Sequence, residues 1–146
     1  MAKRFSLAEA QNLLPNVDGL LRKALESKSR YEEAERSVQS FSQRILLMGG
    51  LLVDRAPVIE ARNRKEEAET ALRQSVEEIQ ELGCLIKDLD TGLVDFPTLF
   101  RGKEVYLCWK MGEPAIGFWH GTEEGFAGRK AIDQDFRDHH RGDRSQ

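Results

Sequence analysis

Cysteine is scarce, and the motifs built on it are missing. Only Cys84 and Cys108 are present, too far apart for a CxxC redox or zinc pair. They are expected as reduced, buried thiols of a cytoplasmic protein. The chain also lacks a nucleophile elbow, a P-loop and HExxH, so hydrolase, nucleotide-hydrolysing and zinc-protease readings have no motif behind them. Long apolar runs are missing too. The longest, Ile45 to Val53, is well short of the roughly 20 residues a membrane-spanning helix needs. The N-terminal MAKRFSLAEAQNLLPN turns polar and acidic too early for a secretory signal. Positive charge is not in excess: 22 Lys and Arg against 25 Asp and Glu give −3, which argues against a non-specific grip on nucleic acid. The sequence therefore gives no catalytic residue, cofactor or metal ligand set, and no membrane or nucleic-acid partner. The cytoplasm is the expected location.

What is present divides the chain. Ser6-Leu7-Ala8-Glu9 is a capping box, so a helix starts near Leu7. Pro15 removes a donor and crowds the preceding turn, predicting a short first helix and a kink or restart. From Val17 the apolar positions Leu21, Ala24, Tyr31, Ala34, Val38, Phe41, Ile45 and Met48 recur mostly at steps of three and four, a coiled-coil-like stripe. Gly49-Gly50 turns the chain. Asp54 and Pro57 then open a second helix, whose stripe runs through Val58, Ala61, Lys65, Ala68, Leu72, Val76, Ile79 and Leu82 to Gly83. Two such helices joined by a short loop fold back antiparallel. Their stripes exceed the cover available, and the tip ILLMGGLLV is apolar, which predicts a homo-oligomer built on the hairpin.

The second half reads as an antiparallel β-meander of four strands: Cys84–Lys87, Leu93–Phe100, Lys103–Lys110 and Ala115–Gly121. The connections Arg101-Gly102 and Met111 to Pro114 have hairpin lengths. That register opposes Phe96 to Leu107 and Leu107 to Phe118. One face then carries Val94, Phe96, Thr98, Val105, Leu107, Trp109, Ile116, Phe118 and His120; the other carries Asp95, Pro97, Tyr106, Cys108 and Trp119. The apolar face packs on the helices, giving an α+β fold: a helical hairpin over 1–83, a β-meander over 84–132 packed on one end of it, and a polar, disordered tail over 133–146.

Candidate chemistry centres on His120, which ends the apolar row. As a functional group it would be a metal ligand or general base; as a structural one it would bond a helix side chain or a backbone carbonyl. Asp95 falls on the opposite face in this register, and Glu113 lies in a turn. Gly125 to Arg129 has the composition of an anion-binding nest with Arg129 as its cation. Asp88-x-Asp90-x-Gly92 lacks most of a calcium loop and reads as a polar turn. A ligand site, where the chain has one, is expected between sheet and helices near His120, Glu113, Asp95 and Arg129.

The segments FSLAEAQNLLP, KDLDTGLVDFP, EVYLCWKMGEP, FWH and GFAGR, with the two helical arms between, resemble a bacterial family of domains of unknown function, over nearly the whole chain to about Ile132. The resemblance implies a small cytoplasmic bacterial protein and supplies no activity or site residues. The leading expectation is a non-enzymatic interaction module that self-associates through its hairpin. The alternative is a small-ligand or metal-binding protein, or an enzyme, with its site near His120.

Overall fold

The computed structural model describes residues 3–49 and 54–143. Gly50 and the 51–53 part of the apolar tip lie outside the described residues.

Helix α1 spans Leu7–Leu47 and α2 spans Ala56–Glu81, forming the expected hairpin. The capping box is made at both ends: Glu9 N–H donates to Ser6 Oγ at 3.1 Å, and Ser6 N–H to Glu9 Oε1 at 2.9 Å. Asp54 Oδ1 accepts from Ala56 N–H at 2.9 Å. The expected break at Pro15 does not occur, and α1 runs through it as one helix. Pro15 is exposed, while its neighbours Leu14 and Val17 are buried. The hydrogen bond it cannot make is thus lost on the solvent side, while packing holds the inner side.

The sheet is antiparallel and larger than four strands. Strands β1 (Leu85–Asp88), β2 (Leu93–Phe100), β3 (Lys103–Lys110), β4 (Phe118–Gly121) and β5 (Lys130–Ala131) follow one another in space, and β6 (His140–Arg141) pairs with β2. The β2–β3 register is the expected one, with Phe96 opposite Leu107 and Phe100 opposite Lys103. Arg101 and Gly102 both have positive φ, 52° and 80°, as a tight two-residue hairpin requires.

The β3–β4 register is one residue away from expectation. Leu107 opposes Trp119, Tyr106 opposes His120 and Cys108 opposes Phe118. The connection runs from Met111 to Gly117, because three bonds hold it off the ladder. Lys110 N–H donates to Glu113 Oε1 at 2.7 Å, Trp109 Nε1 to Glu113 O at 2.9 Å, and Ile116 N–H to Gln11 Oε1 at 3.3 Å. One residue of slip exchanges the faces of β4. Trp119 joins Phe96 and Leu107, and His120 joins Asp95, Tyr106 and Cys108.

The core gathers Phe5, Leu14, Val17, Leu21 and Ile79 with Val94, Phe96, Leu107, Trp109 and Ile116. Phe5 meets Phe96 edge-on at 5.6 Å. Trp109 is buried at 3% exposure and Trp119 is half-buried, as expected, although Trp119 sits on the face not assigned to it.

Residues 133–143 are not a disordered tail. Helix α3 (Gln134–His139) is capped by Asp133, whose Oδ1 accepts from Phe136 N–H at 2.9 Å. Phe136 is 1% exposed, stacked on Phe100 at 4.8 Å and against Trp119 at 5.0 Å. The chain then closes on its own beginning. His140 Nε2 accepts from Leu7 N–H at 2.9 Å, Asp143 Oδ2 accepts from Arg4 N–H at 2.9 Å, and Gly142 is buried against Ser6. A polar composition hid this strap, because its burial rests on the single aromatic Phe136.

Two compact units result, and they do not divide at residues 83 and 84. One comprises the chain up to Leu21 and from Glu77 onward; the other is Arg22–Val76. In the second, the buried positions are mostly small: Ala24, Ser27 and Ala34 on α1, and Val58, Ala61, Ala68 and Ser75 on α2. Ala61, Ala68 and Ser75 recur every seven residues, the period of a helix–helix seam. The Lys65 ammonium lies over the Tyr31 ring at 5.4 Å, which accounts for a lysine in the stripe.

Candidate functional site

Three neighbouring strands each place one donor side chain on the sheet face opposite the α1 layer. Asp95 on β2 is directly paired with Cys108 on β3, and His120 stands on β4. The three are 1%, 0% and 3% exposed. One carboxylate oxygen, the Cys108 Sγ and one His120 ring nitrogen all lie within 4.8 Å of one another, a grouping able to hold a metal ion. His120 Nε2 is 3.1 Å from both Asp95 oxygens, and His120 Nδ1 is 2.8 Å from Gly121 O. The Tyr106 ring lies 5.6 Å from the imidazole.

Electrostatics follow from burial. Desolvation pushes the Asp95 carboxyl above its ordinary value, opposed by His120 and, more weakly, by Lys87. Desolvation, and then the negative charge of Asp95, push the Cys108 thiol up to about 12. At neutral pH an unligated Cys108 is therefore a thiol that hydrogen-bonds Asp95, not a free thiolate nucleophile. His120 does not sit between sheet and helices; of the two structural partners expected for it, the backbone carbonyl is there, as Gly121 O, and among the described residues no helix side chain bonds it. The β4 slip carried it to the other face and against Asp95.

The other two expected residues form their own pair. Arg129 Nη2 donates to Glu113 Oε1 at 2.7 Å and Oε2 at 2.9 Å. The guanidinium lies 4.0 Å from the Phe118 ring centre and 4.5 Å from that of Phe126. Arg129 Nη2 also reaches Cys108 O at 3.4 Å, so the pair adjoins the cluster through the Cys108 backbone. The carboxylate already engages the cation of the anion nest read at Gly125–Arg129. Phe126 is 44% exposed. Asp90 N–H bonds Asp88 Oδ1 at 3.1 Å, the polar turn that was expected.

Cys108 is the member that sequence reasoning missed. The β2–β3 hairpin already set it opposite Asp95; the missing step was the parity of β4.

The family whose pattern the chain fits is described as an uncharacterised conserved protein, DUF2203, matched over residues 3–132. The chain belongs to the DUF2203 family. No curated protein and no solved structure matches it. The DUF2203 match takes in all three members of the cluster as well as Glu113 and Arg129, and it ends before α3. No helix among the described residues is long and apolar enough to cross a membrane.

Proposed function

We propose that this DUF2203 protein is a non-enzymatic cytoplasmic interaction module that self-associates through its helical arms. The observation that carries the reading is the exposed apolar end of the arms. Leu46, Leu47, Met48 and Ile59 are exposed at 80%, 79%, 71% and 55%, and large side chains in such a cluster mark contact surfaces on soluble proteins. The arms themselves bury mainly alanine and serine, so a second copy is the cover that adds most to them. Sedimentation tests this: an oligomer at tens of micromolar, dissociated by Leu47→Glu with Ile59→Glu while the sheet stays folded, is the expected result. A monomeric wild type at that concentration sinks the reading.

A second reading, a ligand- or metal-binding protein with its site at His120, has its own support in the 3.1 Å approach of His120 to Asp95.

A further inference from the structure

Two histidines carry the same restraint and differ in what stands opposite it. Nδ1 of His120 faces Gly121 O at 2.8 Å; Nδ1 of His140 faces Arg137 O at 2.9 Å and Phe136 O at 3.1 Å. A carbonyl only accepts, so both rings are assigned a proton on Nδ1, and in the neutral ring Nε2 then presents a lone pair. At His140 that lone pair meets a donor, the Leu7 N–H. At His120 it meets both oxygens of a buried carboxylate. Two acceptors hold such a separation only with a positive centre between them.

We infer that Asp95, Cys108 and His120 bind a divalent late first-row transition metal, zinc being the first to test. This rests on the ligand-binding reading and is independent of self-association. The donor set of one oxygen, one sulfur and one imidazole nitrogen is the borderline-soft mixture that zinc accepts. The bond from Nδ1–H to a backbone carbonyl is the outer-shell partner that metal-ligating histidines keep. The competing occupant is a proton, which satisfies Asp95 and His120 and leaves Cys108 a thiol donating to Asp95, whereas a metal ion takes one donor atom from each of the three. Metal binding displaces that proton, breaks the Cys108 S–H bond, forms a sulfur–metal bond and releases both protons to solvent. Three protein donors leave a fourth position for water or a ligand group.

Cobalt reports thiolate ligation directly. Full-length protein stripped with a chelator and titrated with Co²⁺ is expected to develop a thiolate-to-cobalt charge-transfer band that saturates at one equivalent and is displaced by Zn²⁺. Cys108→Ser abolishes the band. Asp95→Asn and His120→Gln weaken cobalt binding by about tenfold or more, and His139→Ala leaves it unchanged. Cys84→Ala keeps the band, which assigns the sulfur even where a Cys108 variant fails to fold. Wild type with no band, or a band lost in Cys84→Ala, overturns the inference. Native mass spectrometry of the protein as purified separates the two levels. An organic molecule retained by wild type and lost in His120→Gln, with no cobalt band, overturns the metal and keeps the ligand site; neither signal removes both.

Discussion

Each histidine is fixed by what its Nδ1 finds. His139 sits on the exposed face of α3 beside Asp135, with Nδ1 2.9 Å from the Asp135 carbonyl and 3.1 Å from its carboxylate. His140 is wedged between the end of α3 and the start of α1, its ring stacked on Phe136 at 5.3 Å. Its Nε2 takes the Leu7 N–H, one of the four that the first turn of a helix leaves without an intrahelical partner. The Ser6 hydroxyl takes another, from Glu9. The start of α1 is thus capped twice, once locally and once by a side chain 133 positions away. His140→Phe keeps a ring to stack on Phe136 and removes the acceptor. It is expected to lower stability by about 0.5–2 kcal/mol, the range for losing a helix cap, measured by denaturant unfolding. An unchanged midpoint would show that the local capping box is sufficient alone.

At the scale of elements, the 133–143 strap depends on a close approach. A Cβ on Gly142 would lie 2.4 Å from Ser6 N and 2.6 Å from Phe5 C, both backbone atoms that cannot swing aside. Gly142→Ala is expected to cost about 1–3 kcal/mol through overpacking and to open 133–143 to limited proteolysis before the sheet. Resistance equal to wild type would mean that the strap is held by Phe136 alone. The same elements show what was legible in the sequence. The β2–β3 pairing was readable because Arg101-Gly102 sets its parity locally. The β3–β4 pairing was not, because its parity is set by Glu113 folding back on Lys110 and Trp109, and by Gln11 of α1 taking the Ile116 N–H. A contact 105 residues apart leaves no local signal. That one slip concealed two things. It put His120 on the wrong face, away from Asp95, and it put Trp119 away from Phe100 and Phe136, so the strap had no visible surface to bind. The two arms α1 and α2 were legible from caps and spacing, whereas α3 was not. Within the arms the break at Pro15 was wrong, because tertiary burial of Leu14 and Val17 outweighs one lost hydrogen bond.

At the scale of the whole molecule, the two units are built from different materials. Among the described residues, the unit containing the sheet buries Phe5, Phe96, Phe136, Trp109, Leu107 and Ile79, while Arg22–Val76 buries Ala24, Ala34, Ala61, Ala68 and one larger aliphatic, Val58. Hydrophobic stabilisation scales with apolar area, about 0.8 kcal/mol per buried CH₂ against about 1.5–3 kcal/mol for a whole Leu or Phe side chain. The arms therefore hold less stabilisation per residue, and local opening is expected to follow that gradient. Hydrogen exchange read by mass spectrometry should show amides of 22–76 exchanging through lower-energy openings than those of β2 and β3. Self-association adds a second dependence. A partner copy that binds only closed arms stabilises them by mass action, so protection across 22–76 should rise with protein concentration while protection in β2 and β3 stays constant. Leu47→Glu with Ile59→Glu should remove the concentration dependence and leave the gradient between units. Protection in 22–76 that is equal to the sheet's at every dilution would count against both the thin packing of the arms and the need for a second copy to cover them.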